Sequence, residues 1–222
     1  MRYAFQVQYI GKNYSGSQIQ FENGIPIDSP TIQGELEKAL CTLIRSKAAN
    51  NNRPIRTVFS GRTDKGVNSL GQVVHFDVDE TIVASKFLYS INEILPDDIS
   101  VSDLEVVDDR FHAQKSAKKR YYRFEFVNRR CKNAFDGDLL RVKFKTDVDR
   151  MQKSLNYLLG EHDFSSFKSS GTLNPSKICT IYEAKVSKVG DNVIIDIVGN
   201  RFLYNMVRTI VGTLLEIEGH NL

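Results

Sequence analysis

The stretch Ser60-Gly61-Arg62-Thr63-Asp64-Lys65-Gly66-Val67-Asn68 sets an acid between two cations inside a glycine-bounded turn. A solvated hairpin is the plain alternative, because Asp bonds its own backbone and Gly accepts positive φ, which makes both ordinary turn residues. Arg62 stands two residues from Asp64, and a cation within roughly 4–6 Å of a carboxylate holds it ionised. A tethered, ionised Asp on a rigid loop between strands is a candidate nucleophile or base. A second cation calls for an acid: Arg208, in Asn205-Met206-Val207-Arg208-Thr209, falls within an apolar helical stripe. A charge there is costly unless paired, and Asp64 is the carboxylate most in need of a partner.

Other chemistry finds less support. His75, His112, His162 and His220 share no metal-ligand spacing. His162-Asp163 has no partner ligands at the offsets of a metal-dependent hydrolase. Gly11, Gly16 and Gly24 do not make a phosphate-cradling loop behind a strand. Cys41, Cys131 and Cys179 are odd in number and far apart, which suits reduced, structural thiols. The expectation is a protein with no metal and no cofactor.

The elements that must hold these residues follow from periodicity. Arg2–Ile10 puts Tyr3, Phe5, Val7 and Tyr9 on one face with the two-residue period of a strand. After a Gly/Asn/Ser-rich loop, Ser29-Pro30 opens a helix carrying Ile32, Leu36, Ala39, Leu40, Leu43 and Ile44 at helical spacing. Ile55–Ser60 and Gly71–Asp77 read as strands joined by the Asp64 loop. A second helical stripe, Phe87 to Leu95, stops at Pro96, and Ile99–Val107 is a further strand. The order β-α-β-β-α-β is a split βαβ unit of ferredoxin-like (RRM-like) type.

A comparable order restarts with strand-like Lys119–Val127 and Leu139–Lys145. Asp147 then caps a helix with Met151, Leu155, Leu158 and Leu159 inward. Ile178–Val189 and Asn192–Val198 form a hairpin around Gly190-Asp191, and Phe202–Glu218 is a helix. The expected fold is α+β, with domains 1–109, bearing the catalytic loop, and 110–222, an α+β half truncated before its last strand.

Charge adds a partner. Residues 77–109 hold ten acids against Lys86 alone, whereas residues 110–145 hold twelve Lys and Arg against three acids. Such blocks are often solvated faces. The basic one is interleaved with Phe111, Tyr121, Tyr122, Phe124 and Phe126, and cations track phosphates while aromatic faces stack on unpaired bases. Phe111, Lys118, Arg120 and Tyr122, with Lys65 from the loop, are therefore candidate RNA-binding residues. On the strand-like run Lys119–Val127, Tyr121 and Tyr122 are neighbours and must point to opposite faces, one toward core and the other toward a cleft. No apolar run reaches membrane-span length, and the strand-like start lacks the pattern of a signal peptide, so a cytoplasmic location is expected.

Five blocks in order carry a family resemblance: Gly61-Arg62-Thr63-Asp64-Lys65-Gly66-Val67; Gly71-Gln72-Val73-Val74-His75-Phe76; Phe111-His112-Ala113 with Tyr122-Arg123-Phe124; Gly160 to Phe167; and Met206 to Gly212. Together they resemble the TruA family of tRNA pseudouridine synthases, from about Tyr3 to the end of the chain. The resemblance implies two sheet-and-helix halves around a central basic cleft, a homodimer, no cofactor, and uridines of the tRNA anticodon arm as substrate. It implies Asp64 as catalytic carboxylate, Tyr122 as the contact to the target base, Arg208 as the partner of Asp64, and Arg62 as the residue that helps extrude the nucleotide. Three positions depart from the pattern: Ile10 replaces the usual Asp, Ser17 the usual Trp, and Asn68 the usual His. A rival reading, a non-catalytic RNA-binding module on the same scaffold, must explain why Arg62, Asp64, Tyr122 and Arg208 are all present.

Overall fold

The computed structural model describes residues 1–44, 55–169 and 176–220. It is a mixed α+β molecule of two compact units, Met1–Ala117 and Lys118–Leu222.

In the first unit, β1 (Arg2–Tyr9), β4 (Thr57–Phe59), β5 (Ser69–Asp77) and β6 (Ile99–Val107) form one sheet in the order β4-β5-β1-β6. Every neighbouring pair in it is antiparallel. A small separate hairpin, β2 (Phe21–Glu22) with β3 (Ile25–Pro26), lies within the loop that the sequence left without structure. Helix α1 (Ile32–Leu43) connects β1 to β4, and α2 (Ala84–Ile94) connects β5 to β6. The helix start expected at Ser29-Pro30 falls instead at Thr31, whose hydroxyl accepts from the Gly34 amide at 3.1 Å. Alternation along β1 turns Tyr3, Phe5, Val7 and Tyr9 into a core with Ile32, Leu36 and Leu40 of α1 and Phe87 and Ile91 of α2.

The edge strand β4 is tied to α1 by a buried acid. Glu37 accepts from the amide and hydroxyl of Thr57, at 2.9 and 3.1 Å, and pairs with the Arg56 guanidinium. The unit also extends beyond the boundary expected at 109/110. Arg2 donates to the carbonyls of Asp109 and Phe111, and the His75 ring accepts from the Ala113 amide, so residues 109–113 are bound to the first sheet. The short helix α3 (Ala113–Ser116) follows, capped by the His112 ring.

The second unit holds β7 (Arg120–Asn128), β8 (Leu140–Val142), β9 (Gly160–Asp163), β10 (Ile178–Val189) and β11 (Asn192–Gly199) in the order β8-β7-β11-β10-β9. Its pairs are antiparallel except β7 with β8. Helix α4 (Val148–Asn156) starts at Asp147, whose carboxylate accepts from the amides of Asp149 and Arg150 and is held below the usual range chiefly by those bonds. Helix α5 (Met206–His220) packs Met206, Ile210, Val211 and Leu214 onto Met151, Leu155 and the inner faces of β10 and β11. Glu218, almost fully buried, bonds the Asp147 amide and the Arg150 guanidinium and so clamps the end of α5 to the start of α4.

Candidate active site

The Asp64 loop leaves β4 at Ser60, whose amide donates to Val73, and rejoins the sheet at Ser69. Asp64 opens a four-residue turn closed by the Val67 amide on the Asp64 carbonyl at 3.2 Å. Gly66, third in that turn, has φ +78°, the positive value a type II geometry requires and glycine supplies without strain. Lys65 and Arg62 are exposed and Asp64 is half-buried. The three residues therefore sit on one short loop, with Asp64 the least exposed of them.

What keeps this loop in place lies beneath it. Ser17 is fully buried; its hydroxyl accepts from the Thr63 amide at 2.9 Å, and its own amide donates to the Thr63 carbonyl at 3.1 Å. Tyr9 carries its ring in the core and its hydroxyl at 2.7 Å from that of Thr63. Gln72 accepts from the Tyr9 hydroxyl and donates to the Gly61 carbonyl at 2.6 Å. The Gly11 amide donates to the Asn68 side chain at 2.8 Å. A β-carbon on Gly11 would fall 2.1 Å from the Val67 carbonyl oxygen, so only glycine permits this close approach. The supporting segment is itself fixed: Tyr14 donates to the Asp98 carboxylate at 2.5 Å, and Ile10 donates its amide to the Asp98 carbonyl. Burial first, and the Asp98 bond and charge next, drive the Tyr14 phenol pKa up.

Between Val7 opposite Gln72 and Tyr9 opposite Ser69 the register slips, with the extra residue in β5. A bulge of this kind re-aims a strand end, and here it lies where β5 meets the loop. Sequence reading treated residues 11–17 as a connector and passed over Tyr9, Ser17 and Gln72 as supports. The signal available was the run of small and polar residues there, whose partners are distant in the chain.

The remaining candidates fall elsewhere in their units. Phe111 packs edge-on against His75, with ring centroids 6.0 Å apart, in the segment that Arg2 holds. Tyr122 is half-buried and meets Phe202 with centroids 4.8 Å apart, whereas Tyr121 is 71% exposed. Neither tyrosine is fully enclosed: Tyr122 lies at the end of the face carrying Phe124 and Phe126, opposite Ile197 of β11. Lys118 is exposed, and Arg120 donates to the Asn200 carbonyl at 2.6 Å.

Arg208 departs from its expected setting. It lies on the exposed side of α5, since the helix buries Met206, Ile210, Val211, Leu214 and Glu218, so burial does not force it to find an acid. Three cations of the basic segment serve internal pairs: Arg123 with Asp196, Arg129 with Asp136 and Asp191, and Lys119 with Glu183. Among the described residues no group of three His, Cys, Asp or Glu side chains is arranged to hold a metal, and no helix is long and apolar enough to cross a membrane. The three cysteines are free, and burial pushes the Cys179 thiol up.

Comparison with known proteins bears on the whole of this arrangement. Residues 155–222 match the family model described as tRNA pseudouridine synthase. The chain is 41% identical over 218 residues to a tRNA pseudouridine synthase A of Bacillus licheniformis, covering 98% of this chain and 84% of that protein. It is 39% identical over 217 residues to the protein of that name from Bacillus subtilis, covering 97% and 83%. To the one from Colwellia psychrerythraea it is 39% identical over 218 residues, covering 98% and 79%. Likeness of this extent spans both units, and the chain belongs to the tRNA pseudouridine synthase A family.

Proposed function

We propose that this protein isomerises uridine to pseudouridine in the anticodon stem-loop of tRNA, without a cofactor, with Asp64 as the catalytic carboxylate. The reaction breaks the bond from C1′ to N1, turns the base, and joins C1′ to C5; the C5 proton is lost and N1 gains one. Nothing is oxidised or reduced, and no energy input is needed. Cleaving a glycosidic bond builds positive charge on the sugar, which an anionic carboxylate beside it stabilises or captures. The observation that carries the reading is the anchoring of Thr63, whose amide and carbonyl are both bonded to Ser17. It fixes the residue next to Asp64, which is itself half-buried.

The other roles rest on the resemblance and on position. Arg62, exposed on the same loop, is the residue to enter the RNA and offset the few kcal/mol of unstacking that an extruded base costs. Lys65, Lys118 and Arg120 contact phosphates, with Phe111 beside them. Tyr122 faces the target base, and Arg208 is the cation for Asp64. The reading includes two ferredoxin-like halves around a cleft, the first within Met1–Ala117 and the second within Lys118–Leu222. The β-α-β-β-α-β order and the sheet order β4-β5-β1-β6 support it for the first, and β7, α4, β10, β11 and α5 follow the same sequence of elements in the second. It also includes a homodimer in the cytoplasm.

Asp64→Ala, assayed on unmodified tRNA, tests the proposal. Pseudouridine formation should fall by a factor on the order of 10⁴ or more, the scale for loss of a covalent catalytic group, with tRNA affinity within a few-fold of wild type. Substantial product from the variant overturns the assignment.

A further inference from the structure

Ser17 lies directly beneath the Asp64 loop, and Asn68 is the last residue of the loop before β5. Both side chains offer an oxygen acceptor. Each oxygen is used. The Ser17 hydroxyl takes the Thr63 amide at 2.9 Å, and the Asn68 carboxamide takes the Gly11 amide at 2.8 Å.

Ser17 also reaches into the core. Its carbonyl accepts from Gln33 in the first turn of α1 at 2.9 Å, while its amide donates to the Thr63 carbonyl. Helix α1, Ser17 and Thr63 therefore form a hydrogen-bonded line from a packed helix to the residue that precedes Asp64. Asn68 performs the corresponding task at the other end of the loop, where Gly11 is wedged between the Asn68 side chain and the Val67 carbonyl. Residues 61–68 have little apolar burial of their own, so without these ties the loop would spread over many conformations. A displacement of about 1 Å at a reacting group can cost on the order of a hundredfold in rate.

We infer that Ser17 and Asn68 are positioning residues for Asp64: their side-chain acceptors anchor the loop at Thr63 and at its far end. The inference rests on the proposed function, and it predicts a loss of rate without a loss of RNA affinity. Of the positions that depart from the family pattern, Ile10 is 57% exposed and nothing in the structure accounts for it.

The test compares wild type with Ser17→Ala, Asn68→Leu and Asn68→His, in an assay on unmodified tRNA and by amide hydrogen exchange. The Ala and Leu variants should lose about tenfold or more in kcat with KM within about twofold. Exchange should rise in residues 61–68 and stay unchanged in α1 and in β5 beyond Val73. Asn68→His should recover most of kcat, because a ring nitrogen can take the Gly11 amide. Wild-type kcat in both Ser17→Ala and Asn68→Leu overturns the inference, as does a loss accompanied by faster exchange throughout the first unit. Should wild-type protein make no pseudouridine, the proposed function fails; unchanged loop exchange in both variants defeats the anchoring whatever the activity.

Discussion

The hydroxyl of Tyr9 lies 2.7 Å from that of Thr63 and gives its proton to Gln72 at 3.1 Å. A hydroxyl has one proton to give, so Thr63 must be the donor in the first of these bonds. Tyr9 is 4% exposed, with its ring among Val7, Val74 and other core side chains. A core residue therefore ends in a polar tip that touches the residue preceding Asp64. Tyr9→Phe keeps the ring and removes both bonds. Stability should fall by about 1–2 kcal/mol, the usual cost of an interrupted buried hydrogen bond, and kcat on tRNA should fall with it while KM holds. Denaturant melts and single-turnover assays on the same preparation check both halves.

Gly11 presents a steric test of the same support. Alanine there would bring its β-carbon to 2.1 Å from the Val67 carbonyl oxygen, and the obstacle is backbone, which cannot swing aside. Gly11→Ala should displace the loop and destabilise the first unit by about 1–3 kcal/mol, the range for forced overpacking. Gly212, within α5, has nothing within 4 Å of the added carbon. Gly212→Ala should instead stabilise by up to about 1 kcal/mol through helix propensity. Opposite signs in thermal melts of the two variants distinguish a close approach from an incidental glycine.

His75 sets a pH dependence. Its Nδ1 accepts from the Ala113 amide at 3.2 Å, so the proton of the neutral ring is on Nε2. Burial first, then the Arg2 charge and His112, hold its pKa below the ordinary 6.5, with Asp77 opposing them. The unfolded chain thus takes up a proton that the fold resists. The neutral ring's contribution is complete above about 6.5 and is lost as pH falls from there toward the lowered native value. Asp77, itself lowered by Arg2 from 3.8, loses its contribution only at more acid pH. In denaturant titrations at pH 7 and pH 5, His75→Gln should lose less stability over that interval than wild type does; an equal loss would remove His75 as the titrating group.

How far the sequence revealed this molecule depends on whether a feature is local. The hairpin of β10 and β11 was readable to within a residue, because alternation and the Gly190-Asp191 turn are both local. The Asp147 cap was readable for the same reason. Strand β9 was not, since all four of its residues are exposed at a sheet edge and show no apolar alternation. The Asp64 loop stood out by composition, but its supports did not. Tyr9 looked like an ordinary core tyrosine, and Ser17 and Gln72 acquire meaning only once β1, the loop after it and β5 are brought together. The exposure of Arg208 was not legible from its apolar neighbours: a helical stripe gives one buried face, and position 208 falls off it.

Lys118 and Arg120 look alike in the sequence and should behave differently. The Arg120 guanidinium holds the Asn200 carbonyl at 2.6 Å. Asn200 in turn joins β10, its amide donating to the Thr180 carbonyl and its side chain accepting from the Thr180 amide. Removing Arg120 therefore loosens a junction between strand ends of the second unit, and Arg120→Ala should lower that unit's stability as well as RNA binding. Lys118 is exposed, so under the proposed function its effect should fall on phosphate contact and not on stability. Lys118→Ala should leave thermal stability within about 0.5 kcal/mol of wild type, weaken binding to tRNAs of different sequence by similar factors, and reduce the slope of log affinity against log salt by about one. Binding isotherms at several salt concentrations decide the matter: an unchanged slope with reduced affinity would show that Lys118 does not meet phosphate.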